Sequence, residues 1–168
     1  SHALKVITNS NVPFIVVQDQ LMNETGYDSI VVPLDLNKET KQKLEMAASM
    51  AHYFDSEVHL ITPYESDEFL NNKLRANRAW AAKYLKSKDV NFSTHIVEKG
   101  EKLIEGVFKL SKKVDADLIA IMNLQNNSLM GVLGSSYQQE VITNPLKVPV
   151  LCINPLQATV AKGSILVR

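Results

Sequence analysis

The sequence predicts an α/β fold with an open parallel sheet and helices on both faces, and two observations support this prediction. Five short apolar segments alternate with four longer segments along residues 28–155. The longer segments carry apolar side chains at helical spacing, so each has one face to bury. Strands that alternate with helices in this way form a parallel sheet with right-handed crossovers.

The strands are predicted from short apolar or alternating runs. They cover residues 30–34, 58–61, 92–97, 118–122 and 148–153. The third, FSTHIV, has more polar side chains than the others, which predicts a position at the edge of the sheet.

The helices are predicted from apolar residues that recur on one face, with polar residues able to cap each start. They cover residues 38–54 with Asn37 as N-cap, 66–87 with Ser66 or Asp67 as N-cap, 101–114 and 136–144. In the third, Leu103, Val107 and Leu110 mark a clear amphipathic face.

Composition excludes several classes of protein. The 168 residues suit a single domain, and 18 basic side chains balance 18 acidic ones, so a broad electrostatic grip on nucleic acid or acidic lipid is not expected. No segment is apolar enough for a membrane helix and no apolar leader is evident. The single cysteine, Cys152, excludes an internal disulfide. We therefore expect a cytoplasmic protein.

An internal repeat indicates the domain organisation. The sequence VITN of residues 6–9 recurs at 141–144, and each copy is followed by a Val-Pro strand, which begins at Val12 and at Val148. The interpretation divides the chain into an upstream repeat's last helix and strand (1–18), a linker (19–27), a complete domain (28–155) and a tail (156–168).

The stretch from Asp117 to Ser136 is the predicted ligand site. In open parallel sheets, ligands bind outside the carboxyl ends of strands at the point where strand order reverses. Gly134, Ser135 and Ser136 stand at the head of a helix, where free backbone N–H groups suit a phosphate. Ser136 also fits a capping box with Gln139, and the two roles are compatible.

Four motifs together resemble those of the universal stress protein family over most of residues 28–155. They are VPLD at 32–35, ADLI at 116–119, GSS at 134–136 and VPVL at 148–151. The resemblance implies the strand order 3-2-1-4-5 and agrees with tandem members that carry two domains. It also implies pairing through last strands, either in a homodimer or within the chain, between residues 148–153 (Val148 to Ile153) and 12–17 (Val12 to Val17).

The resemblance further implies an adenine-nucleotide site, with ATP as the cofactor. An aspartate after the first strand holds the adenosine end, and a glycine-rich loop after the fourth receives the phosphates. Here Asn123 and Asn126 stand where the motif has glycines, and only residues 127–133 separate Asn126 from Gly134. Asparagine tolerates the left-handed backbone that glycine would supply. The implied site residues are Pro33, Asp35, Met122, Asn123, Asn126, Gly134, Ser135 and Ser136.

Alternatives stay open at this stage. Asp35 is equally well explained as a residue of the βα turn. His59 and His95 lack a third metal ligand and are interpreted as half-exposed strand residues. No catalytic constellation is present, so an enzyme is not expected beyond slow ATP hydrolysis. The main hypothesis is a stress-response protein that acts by binding and dimerisation. The alternative is a member that has lost nucleotide binding and acts only by protein association.

Overall fold

A computed structural model describes residues 12–20, 22–36, 40–122 and 134–154. Its sheet contains six strands in the order β1-β6-β5-β2-β3-β4. These are β1 Phe14–Val16, β2 Ser29–Pro33, β3 Glu57–Thr62, β4 Phe92–Ile96, β5 Leu118–Met122 and β6 Val150–Ile153. Strands β2 to β6 run parallel in the predicted order 3-2-1-4-5, with β4 at the edge as predicted.

The sheet differs from the prediction by one strand. β1 extends it from five strands to six by pairing antiparallel with β6. The ladder joins Phe14 to Cys152, Ile15 to Leu151 and Val16 to Val150. Because β1 lies on the edge of β6, the backbone groups of β6 are hydrogen-bonded on both sides.

Within the described residues, four helices connect the strands. They are α1 Thr40–Phe54, α2 Glu68–Ser87, α3 Leu103–Lys113 and α4 Gly134–Ile142. The side chain of Asp67 accepts the backbone N–H of Leu70 at 2.9 Å, so Asp67, one of the two predicted residues, is the N-cap of α2. Helix α4 begins at Gly134, which places Ser136 in its first turn. The prediction of Ser136 as N-cap of a capping box was therefore wrong.

Two hydrophobic layers bury both faces of the sheet. On one face, α1 packs against β2 and β3, with Leu44, Ile30 and Leu60 fully buried. On the other face, Val107 of α3 and Val141 of α4 pack against neighbouring strands. Burial on both sides explains why β5 is apolar along its whole length and β2 is apolar from Ile30 onward.

Some predictions fall outside the described residues. They concern the helix end at 2–9, the Asn37 cap and the tail 156–168. Among the helices that the structure describes, none is long and apolar enough to cross a membrane.

Candidate functional site

The carboxyl ends of β2 and β5 form the topological switch point of the sheet. From β2 the chain builds outward through β3 to β4, and β5 and β6 then lie on the other side of β2. Pro33 ends β2 and Met122 ends β5, and both are buried. Ligands in open α/β sheets bind in the crevice at such a point.

Asp35 follows β2 into this crevice. The Thr40 hydroxyl donates to the Asp35 carboxylate at 3.2 Å and lies 3.4 Å from the Asp35 backbone N–H. The side-chain amide of Asn77 on α2 donates to the Asp35 carbonyl at 2.9 Å. These contacts connect the end of β2 to α1 and α2, so Asp35 has a structural role in addition to any contact with a ligand. They leave its carboxylate at the switch point.

The charge of Asp35 also acts on two further side chains, and sequence reasoning missed both. Burial lowers the pKa of Lys43 on α1, while the Asp35 carboxylate raises it. Burial also raises the pKa of Tyr137 on α4, and the negative charge of Asp35 raises it further. Helices α1 and α4 cover opposite faces of the sheet, so the charge of Asp35 acts on the pKa of a lysine from one layer and of a phenol from the other.

Helix α2 lines the neighbouring end of β3. The Arg78 guanidinium donates to the hydroxyl of Thr62, the last residue of β3, at 2.9 Å. Burial is the main cause that lowers the pKa of Arg78, and the positive charge of Arg75 adds to it. Arg78 therefore adds a second cation to the carboxyl edge of the sheet.

The predicted phosphate-binding residues are only partly described. Gly134, Ser135 and Ser136 form the first turn of α4, whose backbone N–H groups have no partner within the helix. Such groups can bind an anion. Asn123 and Asn126 lie outside the described residues.

Within the described part of the chain, no group of three or more His, Cys, Asp or Glu side chains could hold a metal ion. His59 and His95 are instead joined through Ser93, whose hydroxyl lies 2.8 Å from His59 Nδ1 and 2.9 Å from His95 Nε2. The prediction that His59 is half-exposed was wrong, since only 7% of it is exposed. It is buried because β3 lies inside the sheet, where both faces are covered.

A separate concavity of about 140 Å³ lies at the opposite, amino-terminal edge of the strands. Ser111, Lys112 and Asp115 contribute to its lining, together with Gln20 from the segment that follows β1. It contains none of the predicted site residues.

Solved structures resemble this fold at low sequence identity. A universal stress protein in complex with cAMP has a TM-score of 0.61 at 20% identity, covering 76% of this chain and 97% of that one. The universal stress protein from Archaeoglobus fulgidus in complex with dAMP has a TM-score of 0.59 at 18% identity, covering 76% and 98%. At these identities the likeness establishes the fold alone.

A longer neighbour is a universal stress protein from Archaeoglobus fulgidus DSM 4304. It has a TM-score of 0.68 at 19% identity, covering 89% of this chain but 52% of its own. No curated protein matches the sequence. The sequence pattern of the universal stress protein family matches residues 26–154. The chain therefore belongs to the universal stress protein family.

Proposed function

We propose that this chain binds an adenine nucleotide in the crevice at the carboxyl ends of β2 and β5. The position of Asp35 after β2 at the switch point, where Thr40 of α1 and Asn77 of α2 bond to it, is the observation that most supports this function. The neighbours in complex with cAMP and dAMP support adenine as the base.

Each predicted site residue has a role in this proposal. Asp35, between Pro33 and Met122, holds the adenosine end, and the first turn of α4 (134–136) receives phosphate. Asn123 and Asn126 replace the glycines of the phosphate loop. ATP is one candidate ligand, and we expect its hydrolysis to be slow because the sequence contains no recognisable catalytic constellation. The expected location in the cytoplasm stays a prediction.

Calorimetric titration with Mg-ATP and dAMP tests the proposal. Asp35→Asn removes the carboxylate charge but keeps the shape of the side chain. Asp89→Asn, at an exposed position with φ 55°, is the matched control because asparagine tolerates that backbone. We expect saturable binding that is roughly tenfold or more weaker in Asp35→Asn, and unchanged in Asp89→Asn. No saturable heat with either nucleotide would contradict the proposal.

We also propose that association between repeats is part of the function, and the register of β1 on β6 supports this. When Val12-Pro13 is aligned with Val148-Pro149, Ile15 corresponds to Leu151, and these two residues face each other in the ladder. The same alignment relates Phe14 to Val150 and Val16 to Cys152, so it converts the pair Phe14–Cys152 into the pair Val150–Val16. The ladder therefore has the symmetry of an isologous two-fold contact. On this proposal β1 is the last strand of an upstream copy, as in tandem members.

Two truncations test this association. Deleting residues 1–18 exposes the apolar edge of β6, and we expect that variant to form dimers or larger species in sedimentation analysis. Deleting residues 1–11 leaves β1 in place and should leave the mass of the particle unchanged. If both truncated proteins sediment like the full chain, β1 does not protect this edge. The alternative function is association without any nucleotide. It predicts dimers or larger species after deletion of residues 1–18, together with no saturable heat in the nucleotide titration.

A further inference from the structure

Lys43 is a buried lysine in the first turns of α1. Only 4% of it is exposed, and it belongs to the buried face of the helix with Leu44 and Ala47. Thr40 lies one turn earlier on the same side and bonds to Asp35. The side chain of Lys43 is therefore held at the switch-point end of α1 and not at its solvent-exposed face.

Among the residues that the structure describes, the ammonium of Lys43 forms no ion pair within 4.0 Å. Burial lowers the pKa of Lys43, and the negative charge of Asp35 opposes this shift. A buried charge is costly unless it is paired. An anion that entered the crevice would give the ammonium an ion pair, and the positive end of α1 would favour it as well.

We propose that Lys43 anchors an anionic group of the ligand, so that the site selects phosphorylated nucleosides over nucleosides. This inference rests on the proposed nucleotide function and adds a specificity-determining residue to it. Asp35 and Lys43 then divide the ligand between them: the carboxylate accepts hydrogen bonds from the sugar or base, and the ammonium pairs with phosphate. A bound phosphate would convert a costly buried charge into a charge-assisted hydrogen bond.

The test compares adenosine with adenosine monophosphate by calorimetry on three proteins. Lys43→Met removes the charge and keeps the length of the side chain. Lys41→Met removes the same charge from an exposed position on the same helix, where the ammonium lies over the Trp80 ring at 5.1 Å. We expect the wild type and Lys41→Met to bind the monophosphate more tightly than adenosine. In Lys43→Met that preference should fall by roughly tenfold or more, with adenosine binding unchanged.

The thermal midpoint of the ligand-free protein provides a second readout. Because Lys43→Met removes a buried lysine that forms no ion pair among the described residues, its midpoint should equal or exceed that of the wild type. If Lys43→Met does not fold, Lys43→Gln serves for the same comparison. A variant that folds and keeps the full preference for the monophosphate overturns the inference.

Failures of the two proposals can be told apart. If the wild type binds adenosine and the monophosphate equally, the role of Lys43 is refuted while the nucleotide function stands. If the wild type binds neither, the nucleotide function is refuted and the inference falls with it.

Discussion

Asp117 ties the start of β2 to the start of β5, and its removal should destabilise the whole domain. Its carboxylate accepts the backbone N–H of Asp28 at 2.9 Å and that of Ser29 at 3.0 Å. It also accepts the side-chain amide of Asn23 at 2.5 Å. Only 9% of Asp117 is exposed, so water cannot readily take its place. This arrangement gives a structural reason for the ADLI motif that enters β5.

The magnitude follows from the three donors that Asp117→Ala leaves behind. The Ser29 N–H is buried, and an unsatisfied buried donor costs about 1–3 kcal/mol. The other two donors are part-buried and recover some of their loss by binding water. We therefore expect the free energy of unfolding to fall by about 2–4 kcal/mol. For a slope of about 2 kcal/mol/M, the urea midpoint falls by about 1–2 M.

Urea unfolding followed by far-ultraviolet circular dichroism measures this loss. Asp115→Asn is the matched control, since Asp115 is exposed, lies two residues away and has φ 50°. It should unfold within about 0.5 kcal/mol of the wild type. If Asp117→Ala also unfolds at the wild-type midpoint, the carboxylate does not stabilise the junction and the reasoning is refuted.

Three other predictions concern the core and its titratable groups. In Gly106→Ala, the new Cβ would lie 2.7 Å from Val97 Cγ2, so overpacking should cost about 1–3 kcal/mol, and an unchanged thermal midpoint would contradict this. Burial lowers the pKa of His59 and His95. As pH falls, these histidines therefore take up protons in the unfolded chain before they do so in the folded protein. The free energy of unfolding should be at its full value above pH about 6.5 and should decrease below it. In urea titrations at several pH values, His59→Gln should show a smaller decrease than the wild type. Burial raises the pKa of Cys152 to about 12, so iodoacetamide at pH 8 should label only unfolded protein; rapid labelling under native conditions would argue against burial.

The strands and helices could be predicted from the sequence because local pattern and tertiary burial agree. Leu118–Met122 is apolar throughout and is buried on both faces, and Asp67 caps α2 as its position predicts. β1 was predicted as a strand, but its antiparallel partner could be named only through the resemblance and the repeat. A pairing between residues so far apart in sequence leaves no local signal.

The candidate site was harder to predict because it is built from contacts between layers. Asp35 was found from its place after a strand, but Lys43 and Tyr137 were missed. Lysine side chains are ordinarily exposed, so the residue type offered no reason to place Lys43 in a buried site. A helical wheel carried a usable signal, since Lys43 falls on the same face as Leu44 and Ala47. For Tyr137, the sequence predicted a helix that starts at Ser136, whereas α4 starts at Gly134. The position of Tyr137 within the helix was therefore not predicted correctly.

Amide NMR spectra recorded during titration with adenosine monophosphate test the central claim most directly. The account predicts saturable shift changes at Asp35, Lys43 and Asn77, around the carboxyl ends of the strands. The amides of Ser111 and Asp115, at the opposite edge of the sheet, should stay unchanged. Shift changes concentrated at that opposite edge, or no saturable change at all, would contradict a nucleotide site at the switch point.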